Sequence, residues 1–263
     1  MQTFNYEALQ VKNGVTKKVE DSLVIEAALQ ININSEPYTV VMRTPDEDAE
    51  LIRGLLYAED IYKSIEPLKL EVVEASENGF CIINATIPKD KLGKGYLNKR
   101  TLLSVSSCGI CGKQKLEDIQ LNGSKLDNNT SFSTLNLKEL FNAMKKQQIV
   151  FDKTGGSHAA AIFDSDKNLI ALYEDIGRHN AVDKAVGSLL MKRELDKASI
   201  LLASGRVSYE IISKAFIAKI PVIAAVSACS SLAVDFAKEF GIQLIGFSRK
   251  NDAMVYANPN SNI

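Results

Sequence analysis

The chain is poor in the residues from which metal sites and disulfide scaffolds are built, with four cysteines and two histidines in 263 residues. So few cysteines at this length do not make a disulfide framework. The formal net charge is −1, so no global field draws the protein to nucleic acid or to a membrane surface. Neither is expected as a partner, and any anionic ligand must be met by local arginines, lysines and backbone amides. No apolar run approaches the roughly 18 residues needed to span a bilayer. The N-terminal stretch MQTFNYEALQVKNG lacks a basic segment followed by an apolar run, so no secretory signal is expected. These absences favour a reducing, cytoplasmic setting, where a CxxC pair is metal-binding or catalytic. Internal repeats and low-complexity tracts are also lacking.

What is present is an ordinary globular balance, 46% hydrophobic and 24% charged. It suffices for one large domain or two unequal ones. Two of the four cysteines sit three positions apart in Ser106-Ser107-Cys108-Gly109-Ile110-Cys111-Gly112-Lys113. A glycine follows each, which suits a pliant loop, and Lys113 is a cation that would favour a thiolate. Spacing alone leaves three readings open: a reactive dithiol, half of a zinc site, or incidental thiols. Cys81, between Phe80 and Ile82-Ile83, reads as core packing.

The N-terminal part, 1–150, reads as mixed α+β. Strands are expected within 1–35, at Tyr38–Met42, at Leu68–Val73 and at Phe80–Ile87. Between them a helix opens at Thr44-Pro45-Asp46-Glu47, with Thr44 as N-cap, Pro45 at the first turn and Glu47 as the reciprocal partner. Leu51, Ile52, Leu55 and Leu56 form its apolar stripe, and Arg43 just before it reads as a surface cation. A polar stretch, 89–100, leads to the CxxC loop. Asn122-Gly123 and Asp127-Asn128-Asn129 suggest turns, and an Asx-capped helix runs from Asn136 to about Gln148.

The pattern changes over 151–263. His158–Phe163 and Leu169–Tyr173 read as a hairpin joined by Asp164–Lys167, and a helix follows from about Asn180. Apolar strands at Ser199–Ala203, Pro221–Val226 and Ile242–Phe247 alternate with helices at Ser208–Ala218, capped by Ser208, and Ser231–Phe240, closed by Gly241. Such alternation implies βαβ crossovers and a parallel sheet. The fold class is therefore α/β, with an α+β N-terminal domain carrying the CxxC loop and a boundary near residue 150.

Ligands of open α/β sheets bind at the carboxyl ends of the strands. Here those ends carry Glu174-Asp175-Ile176-Gly177-Arg178-His179-Asn180, Ser204-Gly205-Arg206, Ser227, and Ser248-Arg249-Lys250. Arg178, Arg206 and Arg249 present forks suited to phosphate oxygens, and following helix N-termini favour anions. Phe247 offers a stacking face and Asp252 a carboxylate. His158 and His179 both adjoin glycine turns. They follow no compact zinc-finger spacing with Cys108 and Cys111. The H-x-E and P-C-x-x-C pattern of a zinc deaminase is missing, since Ala159-Ala160 follow His158 and Ser107 stands where the proline would be.

Taken with Arg43-Thr44-Pro45, Thr154-Gly155-Gly156-Ser157-His158, the run Glu174–Lys184, Ser204–Glu210 and Leu244–Arg249, the CxxC segment resembles the FdhD family. These are sulfurtransferases required for formate dehydrogenase activity, and the matching segments run in order over most of the chain. The resemblance implies a C-terminal domain similar to the cytidine deaminase fold, with a mixed sheet and βαβ crossovers but no zinc chemistry. It implies that sulfur passes as a persulfide from a cysteine desulfurase to the molybdenum bis(molybdopterin guanine dinucleotide) cofactor of formate dehydrogenase. Cys108 would carry the persulfide and Cys111 assist. The nucleotide segment maps onto Phe247, Ser248, Arg249, Lys250, Asn251 and Asp252, joined by Arg178, His179, Ser204, Gly205, Arg206 and Ser227. Asn251-Asp252 departs from the Gly-Arg common among relatives. A non-catalytic insertion chaperone is the alternative, a general dithiol oxidoreductase or a zinc hydrolase the more distant ones, and a homodimer is expected by analogy.

Overall fold

The aliphatic runs of the sequence become two sheets with a pair of helices packed between them. The computed structural model describes residues 1–97, 124–126, 133–249 and 252–260. The CxxC segment and the two turn signals at 122–123 and 127–129 lie outside the described residues.

Thr3–Lys12 (β1) and Val15–Val24 (β2) form an antiparallel ribbon of their own. Its turn is Asn13-Gly14, both with positive φ, the chemistry a tight right-twisted hairpin requires. Ala27–Ile33 (β3), Glu36–Arg43 (β4), Lys69–Ala75 (β5) and Cys81–Thr86 (β6) make a four-stranded sheet in the order β4-β3-β6-β5. The helix Asp48–Ala58 (α1) covers one face of it. Leu51, Ile52, Leu55 and Leu56 pack there against Leu29, Ile31, Ile33 and Ile83, each contributing about 1.5–3 kcal/mol by burial.

The second sheet has six strands. These are His158–Phe163 (β7), Leu169–Asp175 (β8), Ile200–Ala203 (β9), Val222–Ala225 (β10), Gln243–Arg249 (β11) and Asp252–Ala257 (β12), in the order β12-β11-β10-β9-β7-β8. β9, β10 and β11 are mutually parallel, whereas β7, β8 and β12 add antiparallel pairs, so the sheet is mixed rather than parallel. Helices Arg178–Lys192 (α4), Tyr209–Ile217 (α5) and Ser231–Phe240 (α6) line one face. Leu137–Lys146 (α2) packs Leu137, Leu140 and Met144 on the other, and Ile149–Thr154 (α3) follows it. All of β9 and β10 is buried, as expected of central strands covered on both faces.

The two sheets meet where α1 crosses α4. A Cβ on Gly54 would lie 1.9 Å from the Asp183 carbonyl oxygen, and one on Gly187 would lie 1.9 Å from that of Glu50. Only glycine allows this backbone approach. Among the described residues, no helix is long and apolar enough to cross a membrane.

Several local expectations are overturned by long-range partners. α1 begins at Asp48, not Thr44, because Asp46 and Glu47 are left-handed and no side chain caps the helix. Thr44 is buried and its hydroxyl accepts from the Ile176 N–H at 3.0 Å. Glu47 pairs with Lys184 at 3.2 Å. Arg43 is no surface cation: it is 2% exposed and forks onto Asp48, with both N···O distances 2.8 Å. Asn136 makes no side-chain cap, the cap being Ser133 on the 3-10 turn before α2. Ser208 stands at the N-cap of α5, yet its hydroxyl serves Glu210 rather than the backbone. Cys81 packs against the core as expected, though only half-buried at its edge. Burial, then Asp48, pushes its thiol pKa up.

Candidate functional site

The carboxyl ends of β8, β9, β10 and β11 lie along one edge of the six-stranded sheet. They are not all neighbours, since β7 intervenes between β8 and β9. β7 runs the other way, and His158 at its start pairs with Asp175 at the end of β8. The antiparallel insertion thus brings His158 into the row of strand ends.

Two groups of side chains form there. The first combines His158 with Arg178, His179 and Arg206. Gly205 allows it: a Cβ at that position would lie 3.0 Å from His158 Nδ1 and 3.5 Å from Arg178 Cβ. Arg178 and His179 open the first turn of α4, two residues earlier than periodicity placed it, and no acidic residue accompanies them in that turn. The helix end and the cations therefore act in the same direction on an anion. Burial, followed by Arg178, Arg206 and His179, holds the His158 pKa below its ordinary value. Arg206 is exposed. Arg178 Nε is buried and, among the described residues, has no hydrogen-bond partner. An orphaned guanidinium N–H costs about 1–3 kcal/mol until an acceptor reaches it, so it fits an anionic ligand such as a diphosphate.

His179 is committed differently. Its Nε2 lies 3.0 Å from Glu210 Oε2 and 3.2 Å from Ser208 Oγ, and the ring is 4% exposed. Ser204 is likewise engaged, its hydroxyl accepting from the Ala159 N–H at 2.8 Å, which fastens the end of β9 to β7.

The second group lies at β10 and β11. Phe247 N–H donates to the Ser227 carbonyl at 3.0 Å. A Cβ on Gly246 would lie 3.0 Å from Cys229 Sγ and 2.9 Å from the Tyr256 ring. Phe247 has φ 50, left-handed for a bulky residue, at the irregularity where β11 turns into β12. Its ring is 43% exposed, an open stacking face held by a strained backbone. Ser248 is buried, and its hydroxyl has no partner among the described residues. Arg249 and Asp252 are opposed in the strand register, and Lys250 and Asn251 lie outside the described residues. Cys229 escaped sequence reasoning, since nothing in its local sequence points to Gly246. Burial pushes its thiol up to about 11, so it is a poor nucleophile.

Glu174 and Asp175 hold structure. Glu174 accepts from Val150 N–H and Phe151 N–H at the start of α3, each at 2.8 Å, and from Ser157 Oγ at 2.7 Å. Asp175 is wholly buried. It takes Thr44 N–H at 3.1 Å, Gly177 N–H and Asn180 Nδ2 at 2.8 Å, and the Lys184 ammonium at 3.0 Å. Lys184, also wholly buried, closes the run Glu174–Lys184, but nothing in its local sequence marks it as buried. Cys108 and Cys111 lie outside the described residues, so their distance from either group is not part of this geometry.

The FdhD/NarQ family model matches residues 24–263, which leaves nearly all of the β1–β2 ribbon outside the match. The sulfur carrier protein FdhD of Sulfolobus acidocaldarius is 40% identical over 260 residues, 98% of this chain and 98% of that protein. The protein of the same name from Streptomyces coelicolor is 38% identical over 95% of this chain and 92% of its own length. In fold, the chain is similar to the crystal structure of a candidate formate dehydrogenase accessory protein from Desulfotalea psychrophila. The TM-score is 0.75 at 21% identity, with 99% of each chain covered.

Proposed function

This chain belongs to the FdhD/NarQ family, and from that premise we propose that it is a sulfurtransferase serving formate dehydrogenase. It takes persulfide sulfur from a cysteine desulfurase and delivers it to the molybdenum bis(molybdopterin guanine dinucleotide) cofactor, its bound substrate. The observation that carries this reading is the full-length identity to proteins named sulfur carriers. The cationic group at the strand ends supports it, because a guanine dinucleotide presents a diphosphate and a base. Arg178, whose Nε has no partner among the described residues, and Arg206 suit the diphosphate. Phe247 offers its face to the base, and Ser248 a hydroxyl with no partner among the described residues. His179, Ser204, Gly205 and Ser227 shape the site, and Arg249, Lys250, Asn251 and Asp252 complete the nucleotide segment. The setting proposed is the cytoplasm.

The sulfur chemistry balances on the two thiols for one delivery, with an external thiol reductant needed to repeat it. The Cys108 thiolate attacks the outer sulfur of the donor persulfide, and the donor leaves as a thiolate. Cys108 then carries S–SH. Attack by Cys111 on the inner sulfur forms the Cys108–Cys111 disulfide and releases the outer sulfur as sulfide. A reductant of the thiol class regenerates the pair.

Intact-protein mass spectrometry after incubation with desulfurase and cysteine tests this. Wild type gains one sulfur atom that reductant removes, and Cys108→Ala gains none. If wild type stays unmodified while still binding guanosine diphosphate, the protein is an insertion chaperone and not a sulfurtransferase.

A further inference from the structure

We propose that Glu210 is a positioning residue for the anion site. Through His179 it sets the gap between Arg178 and Arg206, and so the fit of a diphosphate between them. The inference rests on the reading of the strand-end group as the diphosphate site.

Arg178 and His179 stand side by side in the first turn of α4. The N-cap there is Gly177, and no side chain caps the helix. The turn is held instead from two sides. On one, Asp175 accepts from the Gly177 N–H and from Asn180 Nδ2, each at 2.8 Å. On the other, His179 Nε2 meets Glu210 Oε2 at 3.0 Å and Ser208 Oγ at 3.2 Å. Ser208 Oγ donates its proton to the same Glu210 oxygen at 3.0 Å, so it can only accept from His179. The ring therefore presents Nε2–H to both oxygens. Glu210 and His179 are both buried, and a hydrogen bond to a carboxylate is among the stronger ones.

Arg178 is not aimed by its own Nε, which no acceptor reaches among the described residues. Its stem passes Gly205, where a Cβ would lie 3.5 Å from Arg178 Cβ. The direction of the guanidinium follows from the backbone turn that His179 fixes. Gly205 and Arg206 lie on the connection from β9 to α5, Ser208 is the N-cap of α5 and Glu210 is in its first turn. The His179–Glu210 contact thus ties the segment bearing Arg206 to the turn bearing Arg178. Two cations grip one diphosphate well only at a fixed spacing.

One helical turn further on, Lys214 of α5 donates to Asp183 of α4 at 2.6 and 2.8 Å. His179 and Asp183, like Glu210 and Lys214, are four residues apart and share a helix face. The two helices therefore carry two polar rungs. The inner one, Asp183–Lys214, holds their packing. The outer one stands at the strand ends, where its loss lets the first turn of α4 shift while the helices stay together.

Calorimetric titration with guanosine diphosphate and with guanosine tests this, with circular dichroism confirming the fold of each variant. Glu210→Ala loses roughly tenfold or more in affinity for the diphosphate, the worth of one hydrogen bond to a charged group. It keeps its affinity for guanosine, which has no phosphate to meet the arginines. Glu210→Gln retains an acceptor for His179 and restores the diphosphate affinity. Asp183→Asn/Lys214→Met removes the inner rung; it lowers Tm and leaves the ratio of the two affinities at the wild-type value. A second readout needs no nucleotide. Arg178 follows burial among the causes that depress the His158 pKa. Glu210→Ala therefore raises the His158 midpoint by releasing Arg178, and leaves it in place in an Arg178→Met background. If wild type binds neither ligand, the nucleotide reading fails, and the His158 midpoint alone decides the role of Glu210. An unchanged diphosphate affinity, equal losses for both ligands, no rescue by glutamine, or a midpoint shift that is absent or independent of Arg178 each overturns the proposal.

Discussion

The pKa of His158 is held down by its surroundings, and its titration reports on the strand-end site. Burial and the adjacent cations depress its folded pKa. The native state therefore binds fewer protons here than the unfolded chain, and acidification through the ordinary imidazole range removes stability through this residue. An anion between Arg178 and Arg206 reverses the balance by screening those cations. Guanosine diphosphate should move the His158 midpoint upward, and by linkage its affinity should rise as pH falls through that range. Imidazole resonances followed with and without the nucleotide measure this. An unchanged midpoint would place the diphosphate elsewhere. The residue types of this site were legible in sequence as polar strand ends. What was not legible is which of them are free. Ser204, His179 and Asp175 are engaged by Ala159, Glu210 and Lys184, partners 45, 31 and 9 residues away.

Among elements, the α1–α4 crossing depends most sharply on single residues. The apolar stripes of both helices are readable from spacing. Their closeness is not, because nothing in the neighbourhood of Gly54 or Gly187 distinguishes them from tolerated helical glycines. Alanine at either position drives a Cβ into a carbonyl oxygen 1.9 Å away. Each variant should lose about 1–3 kcal/mol or more from overpacking, seen as a lower Tm. A gain in Tm from improved helix propensity would show that the helices can part without cost. β12 went unread for a related reason. Ala253, Val255 and Ala257 alternate over too short a run beside Asn258-Pro259, and only pairing with β11 makes them a strand. The start of α1 shows the same override, with Thr44 drawn away from capping by Asp175 and Ile176.

In the whole molecule, one buried ionic network ties the four-stranded sheet to the six-stranded one. Lys184 reaches Asp175, Glu47 and the Thr44 carbonyl, and Asn180 spans from Asp175 to the Met42 carbonyl. Removing one member of a buried pair leaves an uncompensated charge, about 3–5 kcal/mol, whereas removing both costs much less. Lys184→Met should therefore destabilise strongly in urea denaturation. Asp175→Asn/Lys184→Met should lose less than the two single changes together. Strict additivity would mean that the two groups do not depend on one another.

By itself, the order of residues determined the family, the CxxC pair, the alternation of apolar strands with helices, and the polar character of the strand ends. Those properties are local, carried by spacing, periodicity and motif. The β7–β8 hairpin was legible in sequence; tertiary structure alone decided that β7 also pairs with β9 and brings His158 to Arg178. It also decided that Arg43 and Lys184 are buried, and that the mostly exposed β1–β2 ribbon lies against α3 through β2. Each of these is set by groups far apart in the chain, where desolvation and pairing outweigh the propensities that a local stretch can express.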